Sequence, residues 1–423
     1  MLTVAAKVVG AGKSVAVAQV FGSGAALDAY LLAFLIPSFT ADVFCASIIP
    51  VLVPAFIESD HREGRARATL LYAQVQRSCL KFSFAGGCLI VIGAAIVGSL
   101  SGSSSNFRLA AGMVAAMAPI VPLTALANVW RATLNTQHRF LVPAASAIVV
   151  PLALVLSVLA AGRALGVWVL ALATTLAVVA EVAVLAAGVR RAGFDLFPSL
   201  AGRLPLRRFL REYAYLAAAA AVSTGSFFIG QAMAAGLGEG SVSILNYGTR
   251  LTAVILSIGP AALGVTVLPR FAALVARRDG TALRGSLSRM LTLCAAASAV
   301  VSAGLILFST PIVQLTLQHG AFTAADTAAV AAVQQISLLQ IPFVVCTVLL
   351  MRTLAALESN RALLPVSAAA LVVNVVLNYT LSIRYGVAGI TLATSLSQAL
   401  LCLILMWLVF RGRGQRFLVG ERA

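Results

Sequence analysis

The sequence predicts an all-α polytopic membrane protein of about 12 transmembrane helices, in two six-helix lobes related by a parallel pseudo-two-fold repeat. Three observations carry that class. Of 423 residues, 61% are hydrophobic and 10% are charged, at a mean hydropathy of +1.01; a soluble domain has roughly 25% charged residues. Apolar runs of bilayer-spanning length recur along the chain. Gly, Pro and Arg landmarks recur in the same order in its two halves.

The first span reads LTVAAKVVGAGKSVAVAQVFGSG from Leu2, and the second reads ALDAYLLAFLIPSFTADVFCASIIPVLVPAF up to Phe56. Lys7 and Lys13 interrupt the first, and Asp28, Asp42, Pro37, Pro50 and Pro54 the second. A charge inside a spanning helix costs roughly 2.5–3.5 kcal/mol on insertion scales, so these groups are expected to face protein or a water-filled cavity. Ten further spans are read at about 80–100, 110–130, 142–161, 165–189, 213–237, 241–275, 290–310, 330–354, 364–383 and 386–410. Twelve spans put both termini on one side.

Arginine decides which side. Loops after even-numbered spans hold Arg62, Arg65, Arg67 and Arg77, then Arg131 and Arg139, then the cluster from Arg190 to Arg211, then Arg277, Arg278 and Arg284; the tail adds Arg411, Arg413, Arg416 and Arg422. Opposite loops hold little beyond Arg108, Arg163 and Arg384. By the positive-inside rule both ends are cytoplasmic. The longest cytoplasmic connection, about 190–212, divides the chain into lobes at 1–205 and 206–423.

The halves echo each other. Gly22-Ser23-Gly24, Tyr30 and Pro54-Ala55-Phe56 are answered by Gly238-Glu239-Gly240, Tyr247 and Pro269-Arg270-Phe271. Arg131, Arg139 and Pro143 are answered by Arg352, Arg361 and Pro365. Gly166-Val167 before Leu172-Ala173-Thr174-Thr175-Leu176 is answered, at identical spacing, by Gly386-Val387 before Leu392-Ala393-Thr394-Ser395-Leu396. An even number of spans per half gives both repeats the same orientation, a transporter-type architecture whose site is expected between the halves near the midplane.

Composition excludes several classes. The net charge of +17 lies in interhelical loops and the tail without aromatic–basic interleaving, so it reads as topology and contact with anionic membrane lipids, with no nucleic-acid partner. Six cysteines lack a CxxC spacing and read as small core residues, with neither metal nor disulfide framework. No basic residue precedes the first apolar run, so no cleaved signal peptide is expected. Gly12-Lys13-Ser14 resembles the end of a P-loop, but Lys7 stands where its first glycine belongs and no strand precedes it. No carboxylate pair or Ser/His/Asp arrangement stands out, so the chain reads as no enzyme; Glu58, Asp60 and Glu63, interleaved with basic residues, look like a solvated linker rather than a metal-holding loop.

The polar groups inside the spans are the candidate site. Lys7 and Lys13 either reach a central cavity or snorkel to headgroups. Arg250 is too deep for easy snorkelling and can grip a phosphate with its planar fork, or pair with a helix-end carbonyl. Asp28 is a gating or ion-pairing carboxylate, or one at headgroup level. Glu181 is either neutral or paired. Asn374 and Asn378 share a helix face, and with Thr394 and Ser395 they suit a cation or interhelical hydrogen bonds.

Val20-Phe21-Gly22-Ser23-Gly24 with Asp28-Ala29, Leu237-Gly238-Glu239-Gly240-Ser241 with Leu245-Asn246-Tyr247 and Arg250, Val267-Leu268-Pro269, His319-Gly320-Ala321-Phe322-Thr323, and Leu371 to Asn378 together resemble the MurJ/MviN lipid II flippase family, within the multidrug/oligosaccharidyl-lipid/polysaccharide exporter superfamily. The resemblance implies a V-shaped pair of six-helix lobes around a cationic cavity. It implies an inner-membrane monomer moving an undecaprenyl-pyrophosphate-linked glycan by alternating access, driven by membrane potential or by Na+ or H+, with no other cofactor. Lys7 and Lys13 then stand for the family's first-span arginines, Arg250 is retained, and Ala41-Asp42 falls where the second span has an arginine pair. Gly230 and Gln231 fall at the seventh-span aspartate of a sodium site that would also use Asn374, Asn378 and Thr394. Family members often have fourteen spans, against twelve read here. Lys7, Lys13, Arg250 and Asp28 are thus expected at the pyrophosphate. The alternatives are an exopolysaccharide or O-antigen-type translocase, a cation-coupled drug or metabolite exporter of the same superfamily, and a non-transporting envelope scaffold.

Overall fold

A computed structural model of the protein describes residues 2–100, 105–198, 204, 206–276, 280–356 and 363–410. The tail arginines, Arg203, Arg277, Arg278 and Arg361 lie outside these residues, as does the side chain of Lys7. The described residues form helices and turns, with no strand among them. The helices are α1 (Leu2–Phe21), α2 (Ala25–Thr40), α3 (Ile48–Glu63), α4 (Arg65–Leu100), α5 (Ser105–Met117), α6 (Ile120–Thr136), α7 (Leu141–Leu165) and α8 (Trp168–Arg191). They continue as α9 (Arg207–Ala234), α10 (Ser241–Ala276), α11 (Gly280–Leu307), α12 (Ser309–Leu317), α13 (Ala324–Leu338), α14 (Ile341–Ala356) and α15 (Leu363–Phe410).

Among the described residues, nine helices or merged helix pairs are long and apolar enough to cross a membrane. The last of them, Pro365–Phe410, holds two of the spans read from sequence, meeting at Gly386 (φ 57°, ψ −134°). With α10 and the apolar part of α1, Val9–Phe21, every span expected from the sequence has its helix. The spans are longer than expected at several ends: α4 begins at Arg65, and Arg131 lies inside α6 rather than in a loop.

The second span is broken by a π-helical turn, Ala41–Cys45, between α2 and α3. Carbonyls at membrane depth that lie at such a break take side-chain donors. The Ser47 hydroxyl donates to Val43 O at 2.6 Å, and the Tyr213 hydroxyl donates to Phe44 O at 3.1 Å.

The chain divides into two compact units, Met1–Thr224 with His319–Phe322, and Gly225–Gln318 with Thr323–Ala423. The first unit runs on into α9, and the segment that joins α8 to α9 is tied down on α4. Gln74 exchanges hydrogen bonds with the backbone N–H and carbonyl of Leu204 (2.8 and 3.0 Å), Gln76 donates to Leu196 O (2.6 Å), and Arg77 donates to Pro198 O (3.2 Å). Beneath that segment lies a core of Phe56, Tyr72, Trp130, Leu134, Leu185 and Phe194. The second unit has its own core around Phe271, Leu283, Leu287, Leu349 and Leu405.

Candidate functional site

In the first unit, Lys13 is half-buried in α1, and Asp28 is buried in the first turn of α2. Nearby in sequence, the Tyr30 hydroxyl meets the Thr174 hydroxyl of α8 at 3.0 Å, which anchors α2.

Glu181 of α8 is paired. Arg131 of α6 donates to its carboxylate and also to Asn128 Oδ1 at 2.9 Å, and the Ser146 hydroxyl of α7 lies 3.4 Å from the same carboxylate oxygen. Both charges are largely removed from solvent, with 21% and 9% of their side chains exposed. Removing one partner of such a pair is worth about 3–5 kcal/mol, because the other is left charged and buried. Glu181 is therefore an ion-pair partner that ties three helices together. Of the two states expected for it, neutral or paired, the structure has the paired one, and the sequence signal for its partner is Arg131 at the end of an apolar run.

In the second unit, Arg250 lies well inside α10 and is half-buried. The turn that carries it is fixed by close packing. A Cβ added at Gly248 would lie 2.5 Å from Val333 Cγ1 of α13, so only glycine lets the two helices approach this closely. One turn of α10 further on, Thr252 accepts a hydrogen bond from the Ser337 hydroxyl (2.9 Å), itself bonded by Gln340.

Asn374 and Asn378 are both buried in α15 and form one hydrogen-bonded chain. Asn378 Nδ2 donates to Asn374 Oδ1 at 3.0 Å, and Asn374 Nδ2 donates to the Ser397 hydroxyl at 3.3 Å across the Gly386 break. Ser397 was not picked out by sequence reasoning. Thr394 donates to its own helix at Ile390 O (3.1 Å), leaving its lone pairs available. Gln231 is 2% exposed in α9, beside Gly230, whose added Cβ would touch Ile390 of α15 at 3.2 Å. Both amide atoms of Gln231 and the Asn378 Oδ1 are buried without a partner. Each such atom is expensive, about 1–3 kcal/mol. Unpartnered amide oxygens fit a monovalent cation, held weakly by neutral ligands. Among the described residues there is no group of three or more His, Cys, Asp or Glu that could hold a metal ion.

The two units thus hold separate parts of the expected site. Lys13 and Asp28 fall in the first, and Arg250, Gln231, Asn374, Asn378 and Thr394 in the second.

Comparison with known proteins gives one family and one fold. A family model described as lipid II flippase MurJ matches residues 17–419. The lipid II flippase MurJ of Burkholderia cenocepacia is 25% identical over 97% of this chain and 82% of its own length. The probable lipid II flippase MurJ of Synechocystis is 26% identical over 97% of this chain and 80% of its own. Among solved structures, a lipid II flippase MurJ in an inward closed conformation superposes with a TM-score of 0.85 at 19% identity, covering 99% of this chain and 89% of that one. An inward-facing multidrug resistance MATE family transporter follows the same fold, with a TM-score of 0.77 at 13% identity, covering 100% of this chain and 96% of that one.

Proposed function

The chain belongs to the lipid II flippase MurJ family, and from that premise we propose that it carries lipid II, an undecaprenyl-pyrophosphate-linked glycan precursor, across the bacterial inner membrane. The observation that carries the reading is positive charge held inside spans, with Lys13 and Arg250 both half-buried. An anionic headgroup cannot cross hydrocarbon unaided, and a solvated path of opposite charge removes that barrier. Arg250 grips the pyrophosphate with its planar fork while Lys13 and Lys7 act as point charges. Asp28, buried in the first turn of α2, is a gating carboxylate near the same path. The protein works as a monomer, with both termini in the cytoplasm, and no bond of the cargo is made or broken.

Coupling to a sodium ion is supported by the unpartnered oxygens of Gln231 and Asn378, with Asn374 and Thr394 completing the set. These amides do not titrate, so a proton is not carried there. A bound sodium ion supplies a positive charge that makes one state of the second unit more stable than the other.

Complementation of a strain depleted of its own lipid II flippase tests the reading. The wild-type chain restores growth, and Arg250→Ala abolishes rescue at unchanged membrane abundance. Full rescue by Arg250→Ala removes that residue from the cargo's path; failure of the wild-type chain, with lipid II bound no better than a neutral lipid, rejects the cargo.

A further inference from the structure

A cavity of about 480 Å³ opens at one end of the first unit, lined by Gln19, Val20, Val158, Leu159, Arg163 and the backbone of Gly320 and Ala321. It is a built site. Gly162 brings α7 against α1 so closely that an added Cβ would lie 2.9 Å from Val20 Cγ1, which sets Arg163 beside the end of α1. The opposite wall is held by the Ala321 N–H, which donates to Gln19 O at 2.9 Å, and by Gly320, where an added Cβ would meet the same carbonyl at 2.2 Å. Gly320 also has φ +63°, where a side chain is strained in any case.

Arg163 is exposed and makes no ion pair or hydrogen bond among the described residues. It also ends a stripe. Leu152, Leu156 and Leu159 precede it at the spacing of one α-helical face and are 45%, 60% and 59% exposed. The apolar window of α7 is only 17% buried in all, so this face is open on the first unit. A guanidinium at the head of an exposed apolar stripe, with the Gln19 amide beside it, presents phosphate donors above a surface for one hydrocarbon chain.

We propose that this cavity binds the phosphate of an anionic membrane lipid, with Arg163 on the phosphate oxygens and the tail lying along Leu159, Leu156 and Leu152. Its place in the outer leaflet rests on the proposed topology, which sets Arg163 opposite the arginine-rich loops. The binding chemistry does not depend on that topology. Two sources supply such a phosphate: the ambient glycerophospholipid, or the polyprenyl carrier after its passage.

The test is lipid retention by the full-length protein in detergent, read by native mass spectrometry with phosphatidylglycerol, undecaprenyl phosphate and, as the uncharged probe, diacylglycerol. One phosphate lipid is expected to bind, and Arg163→Gln to weaken it at least about tenfold, as loss of a charge-assisted hydrogen bond demands. Diacylglycerol retention stays unchanged, and Arg163→Lys keeps part of the affinity. Preference for phosphatidylglycerol marks a resident lipid; preference for undecaprenyl phosphate marks a station on the carrier's route. Equal phosphate-lipid retention by wild type and Arg163→Gln overturns the proposal, as does the same tenfold loss on Arg384→Gln, an exposed arginine of the other unit. Retention is read without transport, so its failure leaves the flippase reading standing, and failed complementation leaves this site standing.

Discussion

The two units repeat one helical plan but bury their polar groups at different places. In the first, Arg131 and Glu181 form an ion pair supported by Asn128 and Ser146. Arg352 is the repeat of Arg131 and is exposed, and Leu401, at the register of Glu181, lies in the second unit's apolar core. The reverse holds twelve and eight residues before the shared glycine. There the second unit buries Asn374 and Asn378, and the first buries Leu154 and Val158. The Arg131–Glu181 group satisfies itself, whereas Gln231 and Asn378 in the second unit leave amide atoms unpartnered; in the first unit Gln76 Oε1 and Trp130 Nε1 are also unpartnered. A self-satisfied network holds helices in a single arrangement, while buried atoms awaiting a partner mark where a ligand changes the balance between states.

The largest effect that sharpens this contrast is on the ion pair. Glu181→Leu copies the second unit's residue into the first and strands Arg131, at a cost of about 3–5 kcal/mol. The double variant Arg131→Leu/Glu181→Leu removes both charges and recovers most of that loss. Thermal unfolding in detergent measures both. A single variant as stable as wild type would mean that Arg131 finds another partner, and the scaffold reading of the first unit would fall.

A middle-sized effect tests where the units should behave alike. Gly166 and Gly386 close equivalent spans with nearly the same backbone, φ 56° and ψ −149° against φ 57° and ψ −134°. That region is populated almost only by glycine. Neither position has an atom within 4 Å of an added Cβ, so substitution reports backbone strain alone. Gly166→Ala and Gly386→Ala are each expected to cost about 1–3 kcal/mol, and to match within error. Unequal losses in unfolding temperature would show that the repeat in sequence is not a repeat in energetics.

Much of this plan was legible in the chain because glycine, proline and charge are local signals. The Gly166-Val167 and Gly386-Val387 pair announced a shared turn, and hydropathy marked each span. Pairing across helices was less legible. The apolar run ends at Trp130 and so places Arg131 in a loop, yet α6 continues to Thr136 and carries Arg131 to Glu181. The π-helical turn at Ala41–Cys45 left no trace in the sequence, since an extra residue per turn has no composition of its own. Ser397 looked like any serine in an apolar helix until the break at Gly386 folded it back on Asn374.

The smallest change in stability carries the sharpest functional prediction. Asn374→Leu/Asn378→Val writes the first unit's apolar pattern into the second. It deletes hydrogen bonds worth about 0.6–1.7 kcal/mol each within a membrane, but it also removes the unpartnered Asn378 Oδ1, which is itself unfavourable. The two nearly cancel, so unfolding should shift by no more than about 1 kcal/mol. Transport should instead lose its dependence on sodium, measured as flipping in proteoliposomes with and without a sodium gradient. Asn378→Asp, which adds a charged oxygen at the same place, should strengthen that dependence. If the double variant unfolds several kcal/mol more easily while its sodium response is unchanged, the asparagines hold the helix pair together and the ion acts elsewhere. If stability holds and the response disappears, the second unit keeps buried amides for the ion, and its contrast with the first unit is one of function.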